Sequence, residues 1–265
     1  MRIVRVLTKE GRTVWGRLAE DDTVYEIEGD IFVNPTATEH RMNVRKRLAP
    51  VAPPNVFCIG ANYRRHIEES NAKIPTEPAI FLKPTTAVIG PEDVICLPAS
   101  APGEVDYEAE LALVIGKTAR NISPADVPAY LLGCCCANDV SARDCQLRYD
   151  LQWARGKGFD TFCPLGPFID TEAGYPLGAG ALRIRSLLNG QVMQDSSTAD
   201  MVFPPAEIVS YLSKQFTLLP GTVILTGTPE GVGMARKPPV YLRDGDTITV
   251  EIEGLGAITN RVTGG

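Results

Sequence analysis

The segment Glu104-Val105-Asp106-Tyr107-Glu108-Ala109-Glu110-Leu111-Ala112-Leu113-Val114-Ile115 places the tightest constraint on how this chain can fold. In an extended strand, side chains alternate between two faces. Tyr107, Ala109, Leu111, Leu113 and Ile115 then share one face, which reads as core. Glu104, Asp106, Glu108 and Glu110 share the other, and that face continues inward as Ala112 and Val114. Carboxylates that leave water side by side lose hydration and repel one another. A divalent cation relieves both costs. A solvated edge strand with harmless acids is the competing reading of the same residues.

The rest of the chain is dominated by short strand patterns. Arg2–Leu7, Thr13–Leu18 and Thr23–Ile27 make residues 1–48 a small N-terminal β-rich unit. Residues 49–54, ending in Pro53-Pro54, read as a proline-rich linker, leaving 55–265 as the main domain. There, Asn55–Gly60, Ala79–Leu82, Val94–Leu97, Phe162–Ile169, Thr222–Thr226, Thr247–Ile252 and Ala257–Val262 are apolar or alternating. Leu182–Leu188 and Gln191–Gln194 flank Asn189-Gly190, a strong hairpin-turn signal. Helices are predicted from Ser123 to about Leu132, over Ser141–Tyr149 and over Pro205–Phe216. Many strands and few helices predict a mainly β (α+β) fold, a barrel-like or rolled sheet with helices at its edge.

Composition narrows the partners. The net charge is −6 and the basic residues are scattered, so no nucleic-acid-binding stripe is present. No apolar run approaches the roughly 18 residues of a membrane span. The N-terminus alternates charged and apolar residues, unlike a signal peptide, so a cytoplasmic location is expected. The seven cysteines include no C-x-x-C pair, and reduced thiols are expected. Cys134-Cys135-Cys136 reads as part of a buried small-residue strand.

Four further segments carry chemistry. Asp139 follows the cysteine strand, and Ser141 is placed to cap a helix on which Arg143 and Gln146 share a face. This fits a metal ligand beside a substrate anchor, or an ordinary cap with a surface arginine. His66 and Glu69 are three residues apart, so one helical turn brings them together. A carboxylate that orients an imidazole fixes its tautomer and raises its basicity, as a general base requires; a structural histidine is the bland alternative. Gly156 and Gly158 flank Lys157, which would let backbone approach a ligand closely. Leu225–Gly233 is glycine-rich but lacks nucleotide-loop spacings, so Thr228 and loop amides suit a small carboxylate better.

Taken in order, these pieces resemble the fumarylacetoacetate hydrolase family. The pattern is N-Y-x-x-H-x-x-E at Asn62–Glu69, F-L-K-P at Phe81–Pro84, E-x-E at Glu108–Glu110, and N-D-V-S-A-R-D-x-Q at Asn138–Gln146. G-K-G-F-D at Gly156–Asp160 and L-T-G-T-P-x-G-V-G at Leu225–Gly233 complete it. The resemblance implies a rolled β-sheet, a homodimer, and Mg²⁺ or Mn²⁺ (Ca²⁺ also accepted) held by Glu108, Glu110 and Asp139. It leaves Glu104 and Asp106 outside the ligand set. It implies a catalytic His66–Glu69 dyad on a lid from Tyr63 to Pro75, an active-site Lys157, and substrate contacts from Arg143, Gln146 and Thr228. The implied substrate is a small anionic 2-keto or enol dicarboxylate, and the expected reaction is C–C hydrolysis of an acylpyruvate. Isomerisation or decarboxylation of related dioates is the alternative within the family. A non-catalytic acid- or metal-binding protein is the alternative outside it.

Overall fold

The computed structural model describes residues 1–172 and 181–264. Its centre is a mixed sheet of twelve strands among the described residues. Across the middle run Cys163–Asp170, Leu131–Asn138, Ala109–Ile115, Val223–Leu225, Val56–Gly60 and Ala79–Lys83. The alternation read from the sequence explains why this sheet is covered on both sides. Ala109, Leu111, Leu113 and Ile115 join Cys134 and Cys136 in one core cluster. Ala112 and Val114 join Cys135 and Ala137 in another, on the opposite face. The cysteine triplet is therefore strand interior, and burial raises all three thiols above their ordinary pKa.

The first core is closed by a five-stranded sheet that includes Arg183–Leu188, Thr247–Ile252 and Gly256–Thr263, and by the helix Pro205–Gln215. The expected hairpin turn lies at Asn189-Gly190, with φ of 52° and 80°. The second core is closed from the N-terminal side. Arg2–Thr8 pairs with Cys163–Asp170 through Arg2↔Asp170 and Ile3↔Ile169, so the N-terminal strands extend the main sheet. Two strands there, Thr36–Arg41 and Val44–Leu48, carry mostly exposed side chains, and their polar sequences give no alternation to detect.

Three local expectations need correction. The helix predicted from Ser123 is a 3₁₀ turn, Pro124–Ala129, carrying a second proline at 128 and followed at once by a strand at Leu131. Ser141 does not cap a helix: Ser141–Ala142 pairs with Val105–Asp106 as a short ladder. The helical turn after it is a π-helix, Cys145–Tyr149, and the Asp144 side chain caps it by accepting from the Cys145 amide. The acidic segment is likewise not one continuous strand. Val105–Asp106 leaves the main sheet to pair with Ser141–Ala142, and pairing in the central sheet begins at Ala109.

Ile3 is fully buried where the N-terminal strand meets the central sheet. Truncation there removes packing on both sides of that junction. Ile3→Ala is expected to destabilise the protein by roughly 2–5 kcal/mol in a denaturant titration. An unchanged midpoint would show that the first strand is not clamped to the sheet in solution.

Candidate active site

The register of two antiparallel strands assembles the acidic centre. Ala109 lies opposite Asn138, so Glu108 and Glu110 flank the end of the strand that delivers Asp139. The junction is pinned by Glu108 N donating to Asn138 Oδ1 at 2.9 Å and Asp139 N donating to Glu108 O at 2.9 Å. All three carboxylates are buried, and one oxygen from each lies within 4.8 Å of the others.

Three buried cations converge on this cluster. Lys157 Nζ donates to Glu108 Oε2 and Asp139 Oδ2, both at 2.7 Å. Lys83 Nζ donates to Asp139 Oδ1 and, at 3.2 Å, to Val140 O. Arg143 Nη1 donates to Glu108 Oε1 at 2.6 Å and to Gln146 Oε1 at 2.9 Å. Asp106 takes the other side of the guanidinium, accepting from Arg143 Nε at 2.9 Å.

The electrostatics divide the carboxylates. Burial opposes ionisation of Glu108, but Lys157 and Arg143 outweigh it and hold its pKa at about 2. Glu110 is in the opposite position. It accepts from the Gly227 amide at 2.7 Å and forms no ion pair with a lysine or arginine among the described residues. Burial, then Asp139 and Glu108, push its pKa well above the ordinary 4.5. For Lys157, burial disfavours the charged form, but Asp139 and Glu108 prevail and raise its pKa, so the ammonium stays protonated. An all-oxygen donor set with uncompensated charge at Glu110 fits a hard divalent cation.

His66 and Glu69 lie on the helix Arg64–Glu69, and His66 Nδ1 is 2.8 Å from Glu69 Oε1. With Nδ1–H donating to the carboxylate, Nε2 is left as the basic nitrogen. Glu69 is itself fixed by the Gly231 amide, at 3.2 and 3.0 Å from its two oxygens. The dyad, the three carboxylates, Arg143, Gln146, Lys157 and Thr228 line one cavity of ≈ 510 Å³, with Ile59, Phe81 and Trp153 among its apolar walls.

Two expectations about these residues change in detail. The Thr228 hydroxyl is already committed, donating to Ala109 O at 3.0 Å and accepting from Gln194 Nε2 at 2.8 Å. The glycines around Lys157 serve packing: a Cβ on Gly156 would meet Gln146 N at 2.7 Å, and one on Gly158 would meet Ala154 O at 2.6 Å.

Asp106, Lys83 and Gln194 also belong to the site, though none is among the site residues expected from the sequence. Asp106 accepts from the Gly233 and Met234 amides as well as from Arg143, tying the loop above the cavity to its floor. Gln194 accepts from Ala109 N and Ser186 Oγ, and donates to Thr228 Oγ1 and Pro229 O. No alternation marks Gln194, because Met193 beside it is buried too and Val192, two residues before it, is exposed. Lys83 did carry a signal, since it lies inside the F-L-K-P motif.

Residues 55–263 match the family model described as fumarylacetoacetate (FAA) hydrolase C-terminal. The chain belongs to the fumarylacetoacetate hydrolase family. It is an enzyme of that family, and residues 1–46 also match a model described as Rv2993c-like, N-terminal. The oxaloacetate tautomerase Fahd2a, mitochondrial, of Rattus norvegicus is 48% identical over 81% of this chain and 68% of its own length. Protein Rv2993c of Mycobacterium tuberculosis is 42% identical over 99% of this chain and 98% of its own. A solved 5-carboxymethyl-2-hydroxymuconate delta-isomerase from Mycobacterium smegmatis superposes with a TM-score of 0.88 at 40% identity, covering 100% of both chains. No helix among the described residues is long and apolar enough to cross a membrane.

A carboxyl whose folded pKa is raised favours the folded state below its ordinary 4.5 and loses that contribution as pH rises through the folded value. In metal-free protein, Glu110→Gln is therefore expected to raise the unfolding temperature relative to wild type by an amount that grows as pH rises above 4.5. The same substitution should abolish any further rise on adding Mg²⁺ or Mn²⁺, a stabilisation of about 2.7 kcal/mol at 100 times Kd in a binding protein. Parallel pH profiles for the two proteins in a thermal scan would show that Glu110 is not the strained carboxyl.

Proposed function

We propose that the protein is a tautomerase that moves a proton between carbon and oxygen of a short 2-oxo dicarboxylate, with oxaloacetate as the compound to test first. The observation that carries this reading is the His66–Glu69 dyad, 2.8 Å apart, sharing a cavity with the buried Lys157 and Arg143. Conversion of a ketone to its enol removes a proton from the carbon beside the carbonyl and adds one to oxygen. Nothing is gained or lost, so a single base that returns its proton suffices. Nε2 of His66 takes that role, with Glu69 fixing the tautomer and stabilising the imidazolium. The Lys157 ammonium stays protonated and supplies positive charge where enolate charge develops. Gln146 has its carbonyl oxygen held by Arg143, leaving its amide hydrogens to orient a substrate carboxylate.

Glu108, Glu110 and Asp139 are the residues that would hold a divalent cation, Mg²⁺ or Mn²⁺ on donor chemistry. Bound there, such an ion supplies Lewis acidity toward a 2-oxo oxygen and its neighbouring carboxylate. The relatives named as an oxaloacetate tautomerase and a hydroxymuconate isomerase support proton transfer over the expected acylpyruvate hydrolysis. Isomerisation of a longer unsaturated dioate is the second reading. It is favoured by the apolar walls of the cavity and by a full-length likeness that includes the N-terminal unit. A homodimer and a cytoplasmic location complete the proposal.

Metal-free protein is to be assayed with oxaloacetate, 2-hydroxymuconate-type dioates and acylpyruvates, with and without Mg²⁺ or Mn²⁺. Cation-dependent loss of the oxaloacetate enol absorbance is expected, and turnover of acylpyruvates alone would return the assignment to hydrolysis. His66→Ala should lower kcat by on the order of 10²–10⁴. Glu108→Ala should abolish cation binding and activity together, and full activity in that variant would sink the site assignment.

A further inference from the structure

The dyad helix and the carboxylate cluster meet at one peptide bond. The carbonyl of Thr226 accepts from Asn62 Nδ2 at 2.7 Å, and the amide of Gly227, in the same peptide unit, donates to Glu110 Oε2 at 2.7 Å. Asn62 stands immediately before Tyr63, the N-cap of the helix that carries His66 and Glu69. Its side chain spends its remaining capacity on the segment facing that helix, donating to Phe203 O at 3.0 Å and accepting from Phe203 N at 2.8 Å. Its own carbonyl accepts from Val202 N at 2.7 Å.

Asn62 is fully buried and is not among the residues that line the cavity, so it touches the chemistry only through others. The contact is built closely from both sides. Gly227 has a φ of +99°, and a Cβ there would meet Asn62 Cβ at 2.7 Å. Ala61 holds a φ of +51°, a left-handed conformation that a residue with a Cβ keeps only where its neighbours over-determine it.

We propose that Asn62 is a positioning residue that, through the Thr226–Gly227 peptide, sets the dyad-bearing helix against Glu110. The proposal rests on the reading of His66 as the residue that moves the proton. Replacing the amide by a carboxylate of the same shape turns an N–H donor into an oxygen facing the carbonyls of Thr226 and Phe203. The helix then loses its fixed origin while the residues lining the cavity remain.

The test is a double-mutant cycle in the full-length protein with Mg²⁺ and oxaloacetate, combining Asn62→Asp with His66→Ala. Asn62→Ser serves as a second variant should Asn62→Asp fail to fold. In the wild-type background, kcat should fall on the order of 100-fold with KM little changed, the size expected for a catalytic group displaced by about 1 Å. In the His66→Ala background, the same substitution should change the residual rate by less than about threefold, because the residue acts through His66. Hydrogen exchange of the Arg64–Glu69 amides should quicken at least about tenfold, while that of Ala109–Ile115 stays unchanged. Equal losses in both backgrounds, or unchanged exchange in the helix, would overturn the proposal. Activity retained in His66→Ala would instead overturn the functional reading, and the exchange measurement would still decide the role of Asn62.

Discussion

Burying four carboxylates in one place is the constraint around which this molecule is organised. Asp106, Glu108, Glu110 and Asp139 are all removed from water, and Lys83, Arg143 and Lys157 are buried with them. Removing one partner of such a pair costs about 3–5 kcal/mol, because the other is left charged and dry. The paired members therefore form a mutual arrangement in which none is dispensable to its neighbours. Arg143 links Asp106 to Glu108, Lys157 links Glu108 to Asp139, and Lys83 backs Asp139 from behind. Glu110 alone of the four forms no ion pair with these cations among the described residues, so the charge pattern is left open on its side, where the proposed divalent cation would complete it.

The fold supplies what this arrangement demands. Carboxylates stay close only if the backbone beneath them cannot yield, and a central sheet buried on both faces provides that. Cations must arrive from other parts of the chain. Lys83 comes from the end of the strand Ala79–Lys83, Arg143 from just beyond the ladder Ser141–Ala142, and Lys157 from the short helix Ala154–Lys157. That helix seats closely because Gly156 and Gly158 present no side chain to the backbone they pack on. The polar rivets Asp106, Gln194 and Asn62 then join strands to loops where apolar packing cannot specify a hydrogen-bond direction.

Much of this was legible in the sequence wherever a period or a short spacing encodes it. Alternation from Ala109 to Ile115 gave the core strand, and it gave Glu110 as the acid entering the interior. An i, i+3 spacing gave His66 and Glu69 on one turn. The illegible parts depend on distant partners. Asp106 looked like one more acid on the same strand face, yet the chain leaves the sheet there because Arg143, Gly233 and Met234 compete for its oxygens. That the Thr228 hydroxyl is held by Gln194 was not legible, because Gln194 lies 34 residues away along the chain. The turn after Ser141 looked helical and capped by serine, but ladder pairing with Val105–Asp106 claimed that residue first.

The division of labour inside the cavity follows from how differently its two sides are held. The carboxylate side is fixed by strands whose backbone bonds are part of a large sheet. The dyad side stands on six residues of helix, too short to persist on local hydrogen bonds. Its position comes from the burial of Tyr63 and Ile67, from Asn62 at its start, from Asp200 accepting from the Arg65 amide, and from the Gly231 amide bonded to Glu69 at its end. The two halves of the cavity are thus held by different parts of the fold: the carboxylates by the register of the central sheet, and the dyad by side-chain bonds to the loops beside it and by the burial of Tyr63 and Ile67.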